Sequence, residues 1–178
     1  GLIDMLKDDG MISQEIYDPD ISWMMNDISS LLKRKNISKN YIVLIPGSSK
    51  NHPEKRWPFY GELAKEFMSR GYDVINILGP DELDLKQSLE GHTLELLEWG
   101  DLAGVINKSS FVIGNDSGPS HIASCFKKPG IALFGPTTSG PKSELARPPF
   151  TIIETEDLSS LSSIDLFKKI KKSYSFLR

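Results

Sequence analysis

The sequence predicts an α/β fold with a doubly wound parallel sheet. Three observations predict it: short apolar runs of strand length recur along the chain, helical segments separate them, and each run stops at a Gly- or Pro-containing loop. The run Tyr41-Ile-Val-Leu-Ile45 is apolar throughout. That suits a strand covered on both faces, as in parallel sheets, better than the in–out alternation of a half-solvated strand.

The elements follow in order. Residues 1–20 have weak periodicity, end in Asp-Pro-Asp and read as an arm or linker, with the domain proper over 21–178. Asp20 is placed to cap a helix running to about Asn36, with Ile21, Met24, Met25, Ile28, Leu31 and Leu32 on one face. The strand at 41–45 ends in Pro46-Gly47-Ser48-Ser49. A second helix follows Trp57-Pro58, where proline fits a first turn, and runs to Arg70 with Gly71 as its stop. Asp73 to Leu78 is a second strand, closed by Gly79-Pro80. A short helix is expected over 83–90 and another over about 96–108. Phe111-Val-Ile113 is a third strand, stopped by Gly114-Asn-Asp-Ser-Gly118. A helix from Pro119 to Phe126 leads to a strand at 130–134, closed by Gly135-Pro136-Thr137. Phe150 to Ile153 gives a fifth strand and 162–175 a final helix.

Composition narrows the function. The chain has 178 residues, enough for one domain with a real core, and 39% are apolar against 25% charged, as in a globular protein. Twenty-one Lys and Arg against 24 Asp and Glu leave a formal charge of −3, which argues against an electrostatic grip on nucleic acid. A lone cysteine, Cys125, excludes a disulfide framework and reads as a small buried residue. No apolar run approaches the roughly 20 residues of a membrane span. The chain opens on Gly1 rather than Met, and we read it as part of something larger.

Three strands end in loops of small residues, at 46–49, 114–121 and 134–137. Open α/β sheets bind ligands at the carboxyl ends of their strands. Asp116, Ser117 and Gly118 precede a helix whose first turn holds Pro119 and Ser120. Such a helix start presents unpaired N–H groups and partial positive charge, and small residues let a phosphate come close. The same residues also suit a plainly capped helix, with Asp116 or Ser117 as the cap; spacing alone leaves both readings open. Lys55 and Arg56 follow the first strand, and with the Pro46–Ser49 hydroxyls and amides they could hold a diphosphate. A basic pair alone is more often solvated, and Trp57 more often packs than stacks. What adds weight is the shared strand-end surface. His121 lies one turn into the helix, as a structural hydrogen-bonding residue or as a group that donates to phosphate or orients Asp116.

Several chemistries are excluded. The loop Gly114-Asn-Asp-Ser117-Gly118 lacks the G-x-S-x-G spacing of a hydrolase elbow. His52, His92 and His121 lie far apart with no H-E-x-x-H, so no metal site is expected; no G-x-G-x-x-G follows the first strand, and no G-x-x-x-x-G-K-[ST] occurs. The last helix carries Leu166, Phe167, Ile170 and Tyr174 beside four lysines. It reads first as a surface helix docked by its apolar stripe, and second as a contact with anionic lipid head groups.

Pro46-Gly-Ser-Ser49, Lys55-Arg-Trp-Pro58, Gly114-Asn-Asp-Ser-Gly-Pro-Ser-His121 and Ala132-Leu-Phe-Gly-Pro-Thr137 occur in this order. Together they resemble glycosyltransferase family 9, the ADP-heptose:lipopolysaccharide heptosyltransferases, over about 41–153 and in the C-terminal half of that family only. The resemblance implies a Rossmann-like domain, the donor-binding half of a two-domain GT-B enzyme, with residues 1–20 as a linker or the tail of an absent N-terminal domain. It implies inverting transfer of heptose from ADP-heptose, or a related nucleotide sugar, to a lipopolysaccharide core acceptor held by that other domain. Ser48 and Ser49 would line the donor cleft, and Lys55 would pair with the phosphates and stabilise the leaving group. Asp116, Ser117, Gly118, Pro119, Ser120 and His121 would hold the diphosphate and sugar. Leu97 would meet the adenine, Asp81 or Glu82 the nucleoside, and Thr137 the periphery. The general base would come from the other domain. No cofactor, metal or nucleic acid is implied, and the location would be cytoplasmic, with peripheral contact at the inner membrane as a further reading. Two departures touch sugar specificity. Ser120 replaces a larger apolar residue, and Thr138-Ser-Gly-Pro141 replaces Asp-Pro. The alternatives are another GT-B enzyme, such as a sugar-nucleotide epimerase, or a nucleotide-sugar-binding module without turnover.

Overall fold

The computed structural model describes residues 19–49, 51–137 and 140–174. Its centre is β1 (Tyr41–Ile45), buried at every position, as its unbroken apolar run predicts. β2 (Asp73–Leu78) pairs with β1 on one side and β4 (Phe111–Asn115) on the other. β3 (His92–Glu95) lies outside β2, and β5 (Gly130–Phe134) and β6 (Phe150–Glu154) lie outside β4. All pairs are parallel and the order is β3-β2-β1-β4-β5-β6. The chain moves outward one way from β1 and then returns to build the other way, so the topological switch point lies between β1 and β4.

Among the described residues five α-helices cover the two faces: α1 (Ser29–Arg34), α2 (Tyr60–Met68), α3 (Trp99–Lys108), α4 (Gly118–Cys125) and α5 (Ser163–Ser173). Alternate residues of β1 feed opposite layers. Tyr41, Val43 and Ile45 pack with Leu32, Val105, Ile106 and Ile122 of α1, α3 and α4. Ile42 and Leu44 pack with Leu63, Phe67, Phe167 and Ile170 of α2 and α5. The apolar stripe of α5 is thus occupied inside the protein, and Lys168, Lys169, Lys171 and Lys172 remain at the surface. The surface-helix reading of this segment holds. Among the described residues no helix is long and apolar enough to cross a membrane.

Three expectations change. The helix expected over 20–36 is a 3-10 turn at Ser22–Met24, where Asp20 Oδ1 accepts the Ser22 amide at 2.9 Å, followed separately by α1. The break arises because the Asn26 amide donates to Gly100 O at 3.0 Å and Asp27 Oδ1 takes the Ser29 amide at 3.0 Å. The expected helix over 83–90 is a 3-10 segment, Pro80–Ser88. A sixth strand, β3, occupies 92–95 and delays the following helix from 96 to Trp99, with Leu96 at φ 53° between them. Most of residues 1–20, the expected linker, lie outside the described residues.

Candidate functional site

Three segments meet beyond the carboxyl ends of β1 and β4, and Asn115, the last residue of β4, ties them. It is fully buried. Its Nδ2 donates to Pro46 O (2.9 Å) and Gly47 O (3.1 Å), while its Oδ1 accepts from the Tyr60 hydroxyl (3.0 Å) and the Trp57 amide (3.3 Å). Two donors and two acceptor positions exhaust the amide's capacity. Sequence reasoning passed over Asn115, since nothing adjacent to it signals partners at 46, 47, 57 and 60.

The network delivers Lys55 to the start of α4. Lys55 Nζ lies 2.9 Å from Asp116 Oδ2, with both side chains less than a fifth exposed. Ser117 holds the N-cap position of α4 in an extended conformation, yet no side chain caps this end. The capped-helix reading therefore fails at both candidate residues: Asp116 faces Lys55, and the Ser117 hydroxyl sits 3.3 Å from Ser120 Oγ. Ser120 is buried and donates to Asn115 O at 2.6 Å. A side chain on Gly114 would collide with the Ser120 hydroxyl, so the two small residues fit one another.

A cavity of about 380 Å³ opens beside α4, lined by Ile45, Ile77 and Leu97 with Glu82, Ser117 and Pro119. Glu82 Oε2 accepts the Gly79 amide at 2.7 Å, and its carboxyl lies over Gly47, where a Cβ would clash with it. Burial pushes the Glu82 carboxyl up, with the Gly79 bond and Arg56 acting against the shift. Burial pushes the His121 imidazole down; Asp116 and Glu144 oppose this and Arg147 adds to it. A larger cavity, about 620 Å³, lies near the amino end of β1 against Leu32, Ile37 and Tyr41 and contains none of these residues.

Not every expected residue reaches the cavity. Ser48 is buried, with its hydroxyl donating to His52 O (2.7 Å) and accepting from Arg56 Nε (3.3 Å), and Ser49 is exposed in the loop. Thr137, exposed beyond β5, lines a separate depression with Glu54 and Asp157. Trp57 is a packing residue, buried edge-on to Phe59 and Tyr60 with Nε1 donating to Leu161 O at 2.8 Å. Arg56 donates to Ser48 O and Asp81 O, each at 3.3 Å. Among the described residues no group of three or more His, Cys, Asp or Glu is arranged to hold a metal.

An open parallel sheet with a largely apolar recess at the carboxyl ends of its central strands belongs to the doubly wound α/β class, whose members bind ligands at that end of the sheet. Residues 12–147 match the family Glycosyltransferase family 9 (heptosyltransferase), and the chain belongs to that family. It is 32% identical over 99 residues to lipopolysaccharide heptosyltransferase 2 of Escherichia coli, a match covering 48% of this chain and 28% of that protein. The chain thus spans only part of the length of the curated relatives it matches. In structure it is similar to a family 9 glycosyl transferase from Veillonella parvula, with a TM-score of 0.79 at 21% identity, covering 96% of this chain and 58% of that one. The E. coli ADP-heptose lps heptosyltransferase II gives a TM-score of 0.68 at 21% identity, with 82% and 50% coverage. At these identities the structural likeness shows the fold.

Proposed function

We propose that this chain is the donor-binding domain of an inverting heptosyltransferase of lipopolysaccharide core synthesis, and that ADP-heptose or a related nucleotide sugar lies across the ends of β1, β2 and β4. The observation that carries this reading is the 2.9 Å contact between Lys55 and Asp116, which sets a cation at the uncapped start of α4, beside a cavity lined by Leu97 and Glu82. The adenine would meet the apolar wall at Leu97 and the nucleoside hydroxyls the Glu82 carboxylate. The diphosphate would sit at Lys55 and the amides near Ser117 and Gly118, with Asp116 and His121 toward the sugar.

In the reaction an acceptor hydroxyl attacks the anomeric carbon, the bond from that carbon to the phosphate oxygen breaks, and ADP departs. The acceptor proton passes to a base on a second domain, which also holds the lipopolysaccharide core. The departing diphosphate gains charge, which Lys55 and the helix start would stabilise. In this reading residues 21–178 form the donor domain, residues 1–20 lead in from the acceptor domain, and Ser48, Ser49, Ser120 and Thr137 act from behind or beside the cleft. Calorimetry tests it: the protein binds ADP, and Lys55→Ala weakens ADP at least tenfold while adenosine changes little. No ADP binding at millimolar ligand removes the donor-site reading, and equal losses for both ligands remove the phosphate role of Lys55.

A further inference from the structure

The segment Pro80–Ser88, which carries Glu82 to the cavity, is a nine-residue 3-10 run with no buried residue. Runs of that length are uncommon because the hydrogen-bond geometry is poor, so little in the segment itself fixes its position. Arg56 reaches it from the loop after β1. Its Nη2 donates to both Ser48 O and Asp81 O at 3.3 Å, its Nε to Ser48 Oγ at 3.3 Å, and its Nη1 lies 3.5 Å from an Asp84 carboxylate oxygen. The Arg56 side chain is only 16% exposed, whereas Asp84 is 69% exposed and adds little as an ion pair. One guanidinium therefore joins the Lys55 loop to the Glu82 segment, two stretches that come from different strands.

We propose that Arg56 is a positioning residue, which fixes the Pro80–Ser88 segment, and with it the Glu82 wall of the cavity, relative to the Lys55–Asp116 pair. Its bearing on the ligand rests on the reading of this cavity as the nucleoside end of a donor site; the tether itself does not. The planar fork serves Ser48 and Asp81 at once, which a single ammonium on a flexible stem does not reproduce. The charge also opposes the cost of burying the Glu82 carboxylate.

Hydrogen exchange on the ligand-free protein tests the tether. In Arg56→Ala and Arg56→Lys, amides of 81–88 exchange at least fivefold faster than in the parent while β1 and β4 keep their protection. Parent-like exchange at 81–88 in both variants overturns the proposal, as does parent-like exchange in Arg56→Lys alone, because charge would then suffice. Arg56→Lys keeps stem and charge and carries the test if the alanine variant does not fold. Calorimetry supplies the second arm: both Arg56 variants weaken adenosine and ADP by a similar factor of at least five, unlike Lys55→Ala. A loss confined to ADP makes Arg56 a phosphate ligand and overturns the positioning role. Absence of adenosine and ADP binding to the parent counts against the donor-site reading, and the exchange result then decides the tether alone.

Discussion

Asn115 shows how much one side chain can hold. Its partners are three backbone groups and a buried hydroxyl drawn from the loop after β1 and the start of α2. Asn115→Leu keeps the volume and strands all four, and unsatisfied buried polar groups are costly, so we expect a loss of about 3 kcal/mol or more in urea unfolding. A loss under about 0.5 kcal/mol would mean water or rearrangement replaces the network. His121 gives a pH signature. Its folded-state pKa is lowered from the ordinary 6.5, so the unfolded chain binds more protons between the two values. Its contribution is therefore complete above 6.5 and is lost as pH falls through the window below it. In histidine NMR titration the resonance that disappears in His121→Gln should have its midpoint below 6.5; a His121 midpoint at or above 6.5 means Asp116 and Glu144 outweigh burial. Lys55 and Asp116 could be named as candidate site residues from the sequence because their motifs are local, whereas Asn115 and Arg56 have partners that no neighbouring residue announces.

At the scale of the element, the interrupted first helix has a cause in α3. Gly104 faces the 26–28 stretch so closely that a Cβ would lie 2.6 Å from Asn26 O and 2.8 Å from Ile28 Cγ2. An alanine in a helix interior ordinarily gains up to about 1 kcal/mol over glycine. Here overpacking reverses the sign, and Gly104→Ala should lower the Tm, by about 1–3 kcal/mol in stability; a rise would mean the 26–28 stretch yields easily. β3 was invisible for a related reason. His92-Thr-Leu-Glu95 buries only Leu94, and it becomes a strand by pairing with Ile75 to Leu78 of β2. Strands buried on both faces advertise themselves, but a short edge strand of mixed polarity does not.

For the whole molecule, the gradient of burial across the sheet sets the order of local stability. Every residue of β1 and β4 is buried, whereas β3 and β6 at the edges are largely not. Amide exchange should be slowest in β1 and β4 and fastest at β3, β6 and the 80–88 segment, since opening an edge exposes little core. Uniform protection across the six strands would instead indicate that the sheet opens only globally. The candidate site thus stands against the buried centre of the sheet through Asp116 and α4, and its Glu82 wall is joined to the loop after β1 by Arg56.

The alternation of strand and helix, the loops at the strand ends and the family resemblance were all written locally. Apolar runs, glycine stops and the four motifs are each read within a few residues. What only the tertiary structure decided were the sixth strand, the break in the first helix, the pairing of Arg56 with Ser48 and Asp81 and the contacts of Asn115. Each depends on contacts between residues distant in sequence, and such contacts exist only once the sheet has brought β1, β2 and β4 side by side.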